Sequence, residues 1–319
     1  MALYKLKPAM KSAIWGGKKL MEEFGKEFDG DNLAETWELS AHPDGESVVD
    51  SGEYAGMPLS RLIQNRGRHI LGKNGSRFED FPILIKLIDA NDNLSVQVHP
   101  DDAYAREHEG QYGKTEMWYV VEAEPGARLC FGCKATVSKE AFRQSASEGR
   151  LDEILNYVPV KKGDVFFIEA GTIHAIGAGI VIAEIQQNSN VTYRVYDYGR
   201  VGADGRPREL HLDKALDVAK LAPPQENYNF GSHIGKCDCF ETDLLEVADS
   251  PVAGVCDESS FVSLLVVQGT GQVRNNSDTF PAKKGDCFFI EAGSGDYELL
   301  GNMTVISVRI PEEMVGKSR

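Results

Sequence analysis

An eleven-residue motif occurs twice in the chain and constrains its fold more than any other feature. Residues 161–171 read KKGDVFFIEAG and residues 283–293 read KKGDCFFIEAG, with one difference between the copies. Each copy is a glycine turn, an alternating strand and a second glycine turn, a pattern typical of small antiparallel barrels and jelly rolls. Repetition over so long an interval indicates domain duplication rather than a solenoid. The sequence therefore predicts a mainly β protein with two related β-barrels.

Hydrophobic periodicity predicts the other elements. Strands are expected over residues 81–88, 94–100 and 117–122, and helices over residues 59–71, 101–109, 138–157 and 212–221. The helices would be inserted in, or packed on, the N-terminal barrel. The last helix runs into Ala222-Pro-Pro224, which predicts a domain boundary. We expect a metal-binding domain over residues 1–222 and a second barrel without metal ligands over residues 225–319.

The charge of the chain limits its partners. The 319 residues carry a formal net charge of −15, whereas nucleic acid and acidic membrane surfaces reward a basic face. No run approaches the roughly 18 apolar residues of a membrane span, and the amino terminus has no secretory pattern, so a cytoplasmic location is expected. A small anionic substrate would need cations gathered locally against this global charge.

Candidate metal ligands come from separated parts of the chain. Residues 94–100 alternate at the period of a half-buried strand, which places Ser95, Gln97 and His99 on one face. Glu116 lies in Gly113-Lys-Thr-Glu116, and His174 lies in Gly171-Thr-Ile-His174. If the fold unites Gln97, His99, Glu116 and His174, this donor set suits a divalent first-row metal and leaves room for substrate.

Several other residues offer weaker metal-binding patterns. The second copy of the motif continues to Asp296 where the first continues to His174, so we predict that this barrel is a structural partner. His42 and His108 are alternative ligands, but a turn-like setting and a charged run favour structural or surface roles. The six cysteines are interpreted as reduced thiols, because the Cys130–Cys133 spacing has no second pair nearby.

Four basic residues are candidates for binding an anionic substrate. Lys86 interrupts an otherwise apolar strand, and Lys114 lies two residues before Glu116, so alternation places its ammonium beside the metal. Arg194 and Arg200 follow in the aromatic segment 192–200. Arginine and lysine together can bind a phosphate through charge-assisted hydrogen bonds. A solvated strand face is the alternative interpretation.

These motifs together carry a family resemblance. Residues 15–17, 37–43, 94–100, 113–116, 170–175 and 191–194 occur in the same order as in type I mannose-6-phosphate isomerases, whose short bacterial form the chain resembles. This family is zinc-dependent and belongs to the cupin superfamily. The resemblance implies one Zn²⁺ per chain, Lys86 in the substrate pocket, Arg194 as a catalytic residue and Arg200 as a phosphate-binding residue.

The resemblance implies interconversion of mannose 6-phosphate and fructose 6-phosphate through an enediol(ate). Lys114 and Arg194 would assist proton transfer or stabilise the intermediate, while Lys86, Ser95 and Arg200 would anchor the phosphate. The proton-transferring base stays open between lysine, histidine and metal-bound water. Two alternatives also stay open: a non-heme iron oxygenase, which uses a similar His/His/carboxylate triad, and a non-catalytic barrel that binds sugar phosphates.

Overall fold

The computed structural model describes residues 2–202, 205–276 and 278–313. Strands outnumber helices in these residues, which confirms the mainly β prediction. The strands up to residue 196 are β1 (Leu3–Lys7), β2 (Ala9–Lys11), β3 (Glu35–Leu39), β4 (Ala41–His42), β5 (Gly45–Glu46), β6 (Val48–Val49), β7 (Ile83–Ala90), β8 (Val96–Val98), β9 (Glu116–Ala123), β10 (Arg128–Cys133), β11 (Leu155–Pro159), β12 (Val165–Ile168), β13 (His174–Ala175), β14 (Ile180–Gln187) and β15 (Tyr193–Tyr196). The later strands are β16 (Gly235–Lys236), β17 (Glu241–Val247), β18 (Val252–Cys256), β19 (Val262–Asn275), β20 (Asp278–Lys283), β21 (Cys287–Ile290) and β22 (Gly295–Arg309).

Short α-helices connect the strands of the N-terminal part. They are α1 (Lys19–Glu22), α2 (Leu59–Arg66), α3 (Asp102–Glu109), α4 (Lys139–Ser147), α5 (Leu151–Ile154) and α6 (Leu212–Val218). Within the described ranges, none of these helices combines the length and the apolar character that crossing a membrane requires.

Two sheets enclose the interior of the N-terminal part. Among the described residues, one sheet has the order β12-β9-β14-β7-β3-β2 and the other has the order β11-β10-β13-β8-β15. Ile88, Val120 and Ile182 of the first sheet share a buried cluster with Leu129 and Phe131 of the second. Because β9 lies in one sheet and β8 and β13 lie in the other, polar residues on these strands can meet across the interior.

A third sheet joins the two ends of the chain. In the described residues it has the order β16-β17-β22-β19-β21-β1-β6, with β18 and β20 paired to β22 and β19. The second copy of the repeated motif forms β21, and the N-terminal strand β1 pairs antiparallel with it, with Leu3 opposite Ile290. The first residues of the chain are therefore built into the C-terminal sheet. The two-barrel description and the boundary at residues 222–225 stay predictions.

The predicted helices are found with different ends. The helix predicted over 101–109 is confirmed as α3. It begins after Asp101, whose side chain caps it by accepting a hydrogen bond from the Tyr104 N–H. The expected helix over 59–71 ends at Arg66, where Gly67 has φ +93°, and a 3₁₀ turn follows over Arg68–Leu71. The helix predicted over 138–157 is interrupted after Ser147, where Gly149 has φ +68°, and resumes as α5. It is wrong from residue 155, where β11 begins.

Candidate metal centre

Three buried side chains from β9, β13 and the end of β8 meet in the interior between the two sheets. Glu116 Oε2 lies 3.7 Å from His99 Nε2, and Glu116 Oε1 lies 3.3 Å from His174 Nε2. All three ligand atoms lie within 4.8 Å of one another, and no other such group of three occurs among the described residues. Three of the four predicted metal ligands therefore converge on one point.

The hydrogen bonds of the two imidazoles direct their Nε2 atoms toward this point. His99 Nδ1–H donates to the Val191 carbonyl and His174 Nδ1–H donates to the Thr172 carbonyl, each over 2.8 Å. Burial, followed by the charge of Lys114, lowers the pKa of His174 to about 4 and the pKa of His99 well below its usual value. Both imidazoles are therefore neutral near pH 7, and each offers an Nε2 lone pair to a metal.

Gln97, the fourth predicted ligand, reaches the same point from β8. It lies opposite His174 in the pairing of β8 with β13, and its side-chain nitrogen lies 3.4 Å from His174 Nε2. Rotation of this terminal amide by about 180° would present its oxygen, which can act as a metal ligand, to the cluster.

Glu116 provides the test of whether a cation fits here. Its side chain is fully buried, and neither oxygen accepts a hydrogen bond of regular geometry from the described residues. Burial and the neighbouring Glu184 raise the pKa of Glu116 above its ordinary value, because the ionised form is poorly solvated. A buried carboxylate beside two neutral imidazoles is satisfied by a bound divalent cation. The residues present therefore fit a metal.

The Gly113–Glu116 segment is fixed through its backbone. Gly113 N–H donates to Asp102 Oδ1 over 2.8 Å, Lys114 N–H donates to the Pro100 carbonyl over 3.0 Å, and Thr115 N–H donates to Gln187 Oε1 over 2.8 Å. A Cβ atom at Gly113 would lie 2.4 Å from the Asp102 nitrogen, so only glycine fits beside the start of α3. This close approach orients Lys114 and Glu116.

The turn before His174 is tied to His99. Gly171 has φ +88°, a conformation that favours glycine, and its N–H donates to the His99 carbonyl over 2.8 Å. The glycine of the Gly171-Thr-Ile-His174 motif therefore brings the two imidazole-bearing segments together.

Lys114 lies beside the cluster, as the sequence predicts. Its Nζ lies 2.8 Å from Glu116 Oε2 and 3.0 Å from His99 Nε2, and the side chain is 4% exposed. A positive charge thus already contacts two of the three ligand atoms in this structure.

Lys86 is connected to Lys114 through Glu184, which the sequence analysis did not identify. Glu184 Oε1 lies 3.2 Å from Lys86 Nζ and 3.9 Å from Lys114 Nζ, and Trp118 donates to Glu184 Oε2 over 2.9 Å. Burial alone would lower the pKa of Lys86, but the carboxylates of Glu35 and Glu184 outweigh it and raise this pKa. A single carboxylate in the apolar strand β14 is the signal that could have identified Glu184.

The remaining predicted residues lie near the start of β8. Arg194 is opposite Gln97 in the pairing of β15 with β8, and its Nε donates to Ser95 Oγ over 3.3 Å. Arg200 Nη1 donates to the carbonyl of Asn93, two residues before Ser95. Ser95, Arg194 and Arg200 therefore form one group, to which the structure adds Asp197 and Arg208.

The alternative histidines lie outside the cluster. His42 Nδ1 accepts from the Asp44 N–H over 3.1 Å and packs edge-on against Trp37. His108 stacks on Tyr104, with ring centroids 3.9 Å apart. Their structural and surface roles agree with the interpretation from the sequence.

All six cysteine thiols are free.

Family models match both parts of the chain. The model described as phosphomannose isomerase type I, catalytic domain, matches residues 3–123, and the model described as mannose-6-phosphate isomerase, cupin domain, matches residues 232–310. The first match contains Gln97, His99 and Glu116.

Similar proteins cover nearly the whole chain. A mannose-6-phosphate isomerase of Streptococcus mutans is 48% identical, over 95% of this chain and 96% of its own length. The crystal structure of the mannose 6-phosphate isomerase from Bacillus subtilis is 33% identical, has a TM-score of 0.88, and aligns over 97% of this chain and 99% of its own. A zinc-bound mannose 6-phosphate isomerase has the same fold, with 19% identity and a TM-score of 0.77 over 97% of this chain and 99% of its own. The chain belongs to the type I phosphomannose isomerase family.

Proposed function

We propose that this protein is a zinc-dependent mannose-6-phosphate isomerase, which interconverts mannose 6-phosphate and fructose 6-phosphate through an enediol(ate). The observation that carries the proposal is the convergence of His99, Glu116 and His174 within 4.8 Å, with Lys114 against them. Membership of the family and the names of its similar proteins support the same reaction.

Gln97, His99, Glu116 and His174 would hold the zinc ion. When bound, zinc supplies a Lewis acid that stabilises negative charge on the substrate oxygens, an effect of several kcal/mol in a site that excludes water. The neutral imidazoles and the buried Glu116 carboxylate, whose charge only Lys114 of the described residues contacts within 3 Å, support this ligand set. The zinc-bound structure of similar fold supports zinc as the metal.

Lys114 is proposed to stabilise charge or to move a proton at the carbons that react. Its ammonium is buried and has three N–H donors, of which the Glu116 and His99 contacts occupy two. Glu184 lies 3.9 Å away and keeps a second carboxylate beside it. Arg194 would assist from the opposite strand, because it pairs with Gln97 in register.

The phosphate of the substrate is assigned to the basic group at the start of β8. Ser95 and Arg200 would donate hydrogen bonds to it, and Arg194 contacts Ser95 directly. Lys86 would add a charge from the facing sheet, where Glu35 and Glu184 keep its ammonium protonated. These cations are gathered locally in a chain whose net charge is −15, as recognition of an anion requires.

The decisive experiment is a coupled assay with mannose 6-phosphate on metal-stripped and zinc-restored protein. We expect activity to be lost on chelation and regained in proportion to bound zinc. Oxygen uptake by iron-loaded protein, with no isomerisation by zinc-loaded protein, would instead favour an oxygenase. Isomerase activity that is indifferent to chelation would contradict the assigned role of the cluster.

Solvent isotope exchange tests the proposed proton route. During turnover in deuterium oxide, an enediol(ate) whose proton exchanges with solvent places deuterium on C1 or C2 of the sugar. We expect NMR to detect this label in the product.

A further inference from the structure

One buried carboxylate, Asp197, holds two arginines beside the proposed phosphate site. Arg208 donates to Asp197 through Nε over 2.8 Å and through Nη2 over 2.5 Å, a bidentate arrangement. Arg200 Nη2 donates to the same carboxylate over 2.6 Å. The Asp197 side chain is 5% exposed, so this interaction is shielded from solvent and fixes both guanidinium groups.

The Asp197 cluster adjoins the segment that leads to Gln97, one of the proposed metal ligands. Arg200 also binds the Asn93 carbonyl, and Arg194 binds Ser95, so the arginines adjoin the segment that leads into β8. Ser95 and Gln97 are two residues apart, which corresponds to roughly 7 Å along a strand. This separation is comparable to that between the phosphoryl group and the first two carbons of a hexose 6-phosphate.

Charge and unused donors both favour an anion at this cluster. Arg194, Arg200 and Arg208 are opposed by one buried carboxylate, Asp197, and by two mostly exposed ones, Asp92 and Glu209, whose charges are screened by water. A phosphomonoester carries about −1.5 to −2 charges at pH 7, which the excess of partly buried cations would offset in part. The bonds to Asp197 use Nε and Nη2 of Arg208, and Nη1 has no hydrogen-bond partner among the described residues. At 27% exposure, the Arg208 side chain is accessible to a ligand.

We propose that Arg208 is a further substrate-binding residue for the phosphoryl group, and that Asp197 is the positioning residue that orients Arg200 and Arg208. The identity of the sugar rests on the proposed function, whereas recognition of the phosphoryl group does not. Arg208 thus adds a guanidinium group, with its planar set of N–H donors, to the group formed by Ser95, Arg194 and Arg200.

The test compares Arg208→Gln and Arg208→Lys with the wild-type protein, all loaded with zinc. We expect Arg208→Gln to raise KM for mannose 6-phosphate about 10- to 100-fold, the effect of losing a charge-assisted hydrogen bond, with a smaller change in kcat. Inorganic phosphate, measured by calorimetry or as an inhibitor, should bind more weakly by a similar factor. Arg208→Lys should show an intermediate effect, because it keeps the charge but loses the fork.

Asp197→Asn tests the positioning role. The variant keeps the size of the side chain but removes the charge that fixes two arginines. We therefore expect KM to rise and phosphate affinity to fall about 10-fold, while zinc content stays at the wild-type value. A matched control is the exposed ion pair of Arg143 and Asp213, whose N–O distance is 2.7 Å. Arg143→Gln and Asp213→Asn should leave KM and phosphate binding unchanged.

A purely structural role predicts a different result. If Asp197 and Arg208 only fasten the loop that they join, Arg208→Gln and Asp197→Asn will lower Tm but leave KM and phosphate affinity unchanged, and the proposal is overturned. If the wild-type protein binds phosphate but does not isomerise mannose 6-phosphate, the proposed function fails, and the phosphate affinities of the variants still decide the role of Arg208. If Arg208→Gln does not fold, Arg208→Lys supplies the same comparison.

Discussion

Lys114 is the residue at which metal binding and catalysis can be separated experimentally. Its ammonium contacts Glu116 and His99, yet it is not itself a metal ligand. We predict that Lys114→Met lowers kcat by about 10²- to 10⁴-fold, the range typical of losing a general acid or base, while the protein keeps one zinc per chain. Kinetics and metal analysis on the same sample measure both effects.

A lysine that is distant from the cluster controls for the loss of charge. Lys161 is 84% exposed and pairs with Asp164, so Lys161→Met should have wild-type kcat and zinc content. If Lys114→Met loses zinc together with activity, Lys114 supports the metal site rather than the chemistry.

At the scale of elements, the start of α3 fixes the approach of β9 to the cluster. Gly113 lies against Asp101 and Asp102, and an added Cβ would meet the backbone at 2.4 Å. We predict that Gly113→Ala displaces Lys114 and Glu116, weakens zinc binding at least 10-fold and destabilises the protein by about 1–3 kcal/mol, as overpacking does. Zinc titration and urea denaturation measure the two effects.

Gly149 is the matched control for this substitution. Its φ of +68° strains any side chain, but nothing lies within 4 Å of an added Cβ. Gly149→Ala should cost stability without changing zinc affinity. Equal zinc affinities for the two alanine variants would show that the close packing of Gly113 does not position the ligands.

Strand β1 makes a second prediction at the scale of elements. Leu3 is completely buried, pairs opposite Ile290 and belongs to the apolar cluster of the C-terminal sheet. Leu3→Ala should reduce the free energy of unfolding by about 2–5 kcal/mol while zinc-loaded kcat stays normal. The exposed Lys7, on the same strand, is the control, and Lys7→Ala should be close to neutral. Equal unfolding midpoints for the two variants would contradict a structural role for β1.

At the scale of the whole molecule, local sequence patterns predict single strands but not how distant strands pair. Alternation in residues 94–100 predicts the face that carries Gln97 and His99, because strand period is a local property. The pairing of β1 with β21, by contrast, joins residues that are nearly the whole chain apart. The helix predicted through residue 157 fails because Gly149 and the pairing of β11 with β10 outweigh helical periodicity.

The candidate site divides in the same way. The metal ligands and Lys114 lie in short motifs whose donor chemistry is visible in the sequence. Glu184, Asp197 and Arg208 were missed because their importance comes from ion pairs between segments that only the fold brings together. A carboxylate in an apolar strand is a weak signal until a lysine on the neighbouring strand is known.

The stability that zinc adds to the whole protein should vary with pH. The pKa values of His99 and His174 are depressed by burial, so the stability they contribute to metal-free protein is present above about pH 6.5 and is lost as pH falls toward about 4. The pKa of Glu116 is raised by burial and by Glu184, so its contribution is present at low pH and is lost as pH rises through this raised value. Near pH 8 the metal-free protein therefore carries an unfavourable buried charge at Glu116, which zinc relieves.

We predict that zinc raises Tm most at pH 8 and progressively less as pH falls, because a proton on Glu116 competes with the metal. At 100 times the dissociation constant, zinc should contribute about 2.7 kcal/mol to the free energy of unfolding. Thermal unfolding with and without zinc between pH 5 and 8 measures this difference. Glu116→Gln should remove the zinc effect at every pH while leaving the metal-free protein at pH 8 at least as stable as wild type. A zinc-dependent shift in Tm that is independent of pH would show that Glu116 is ionised in the metal-free protein throughout this range.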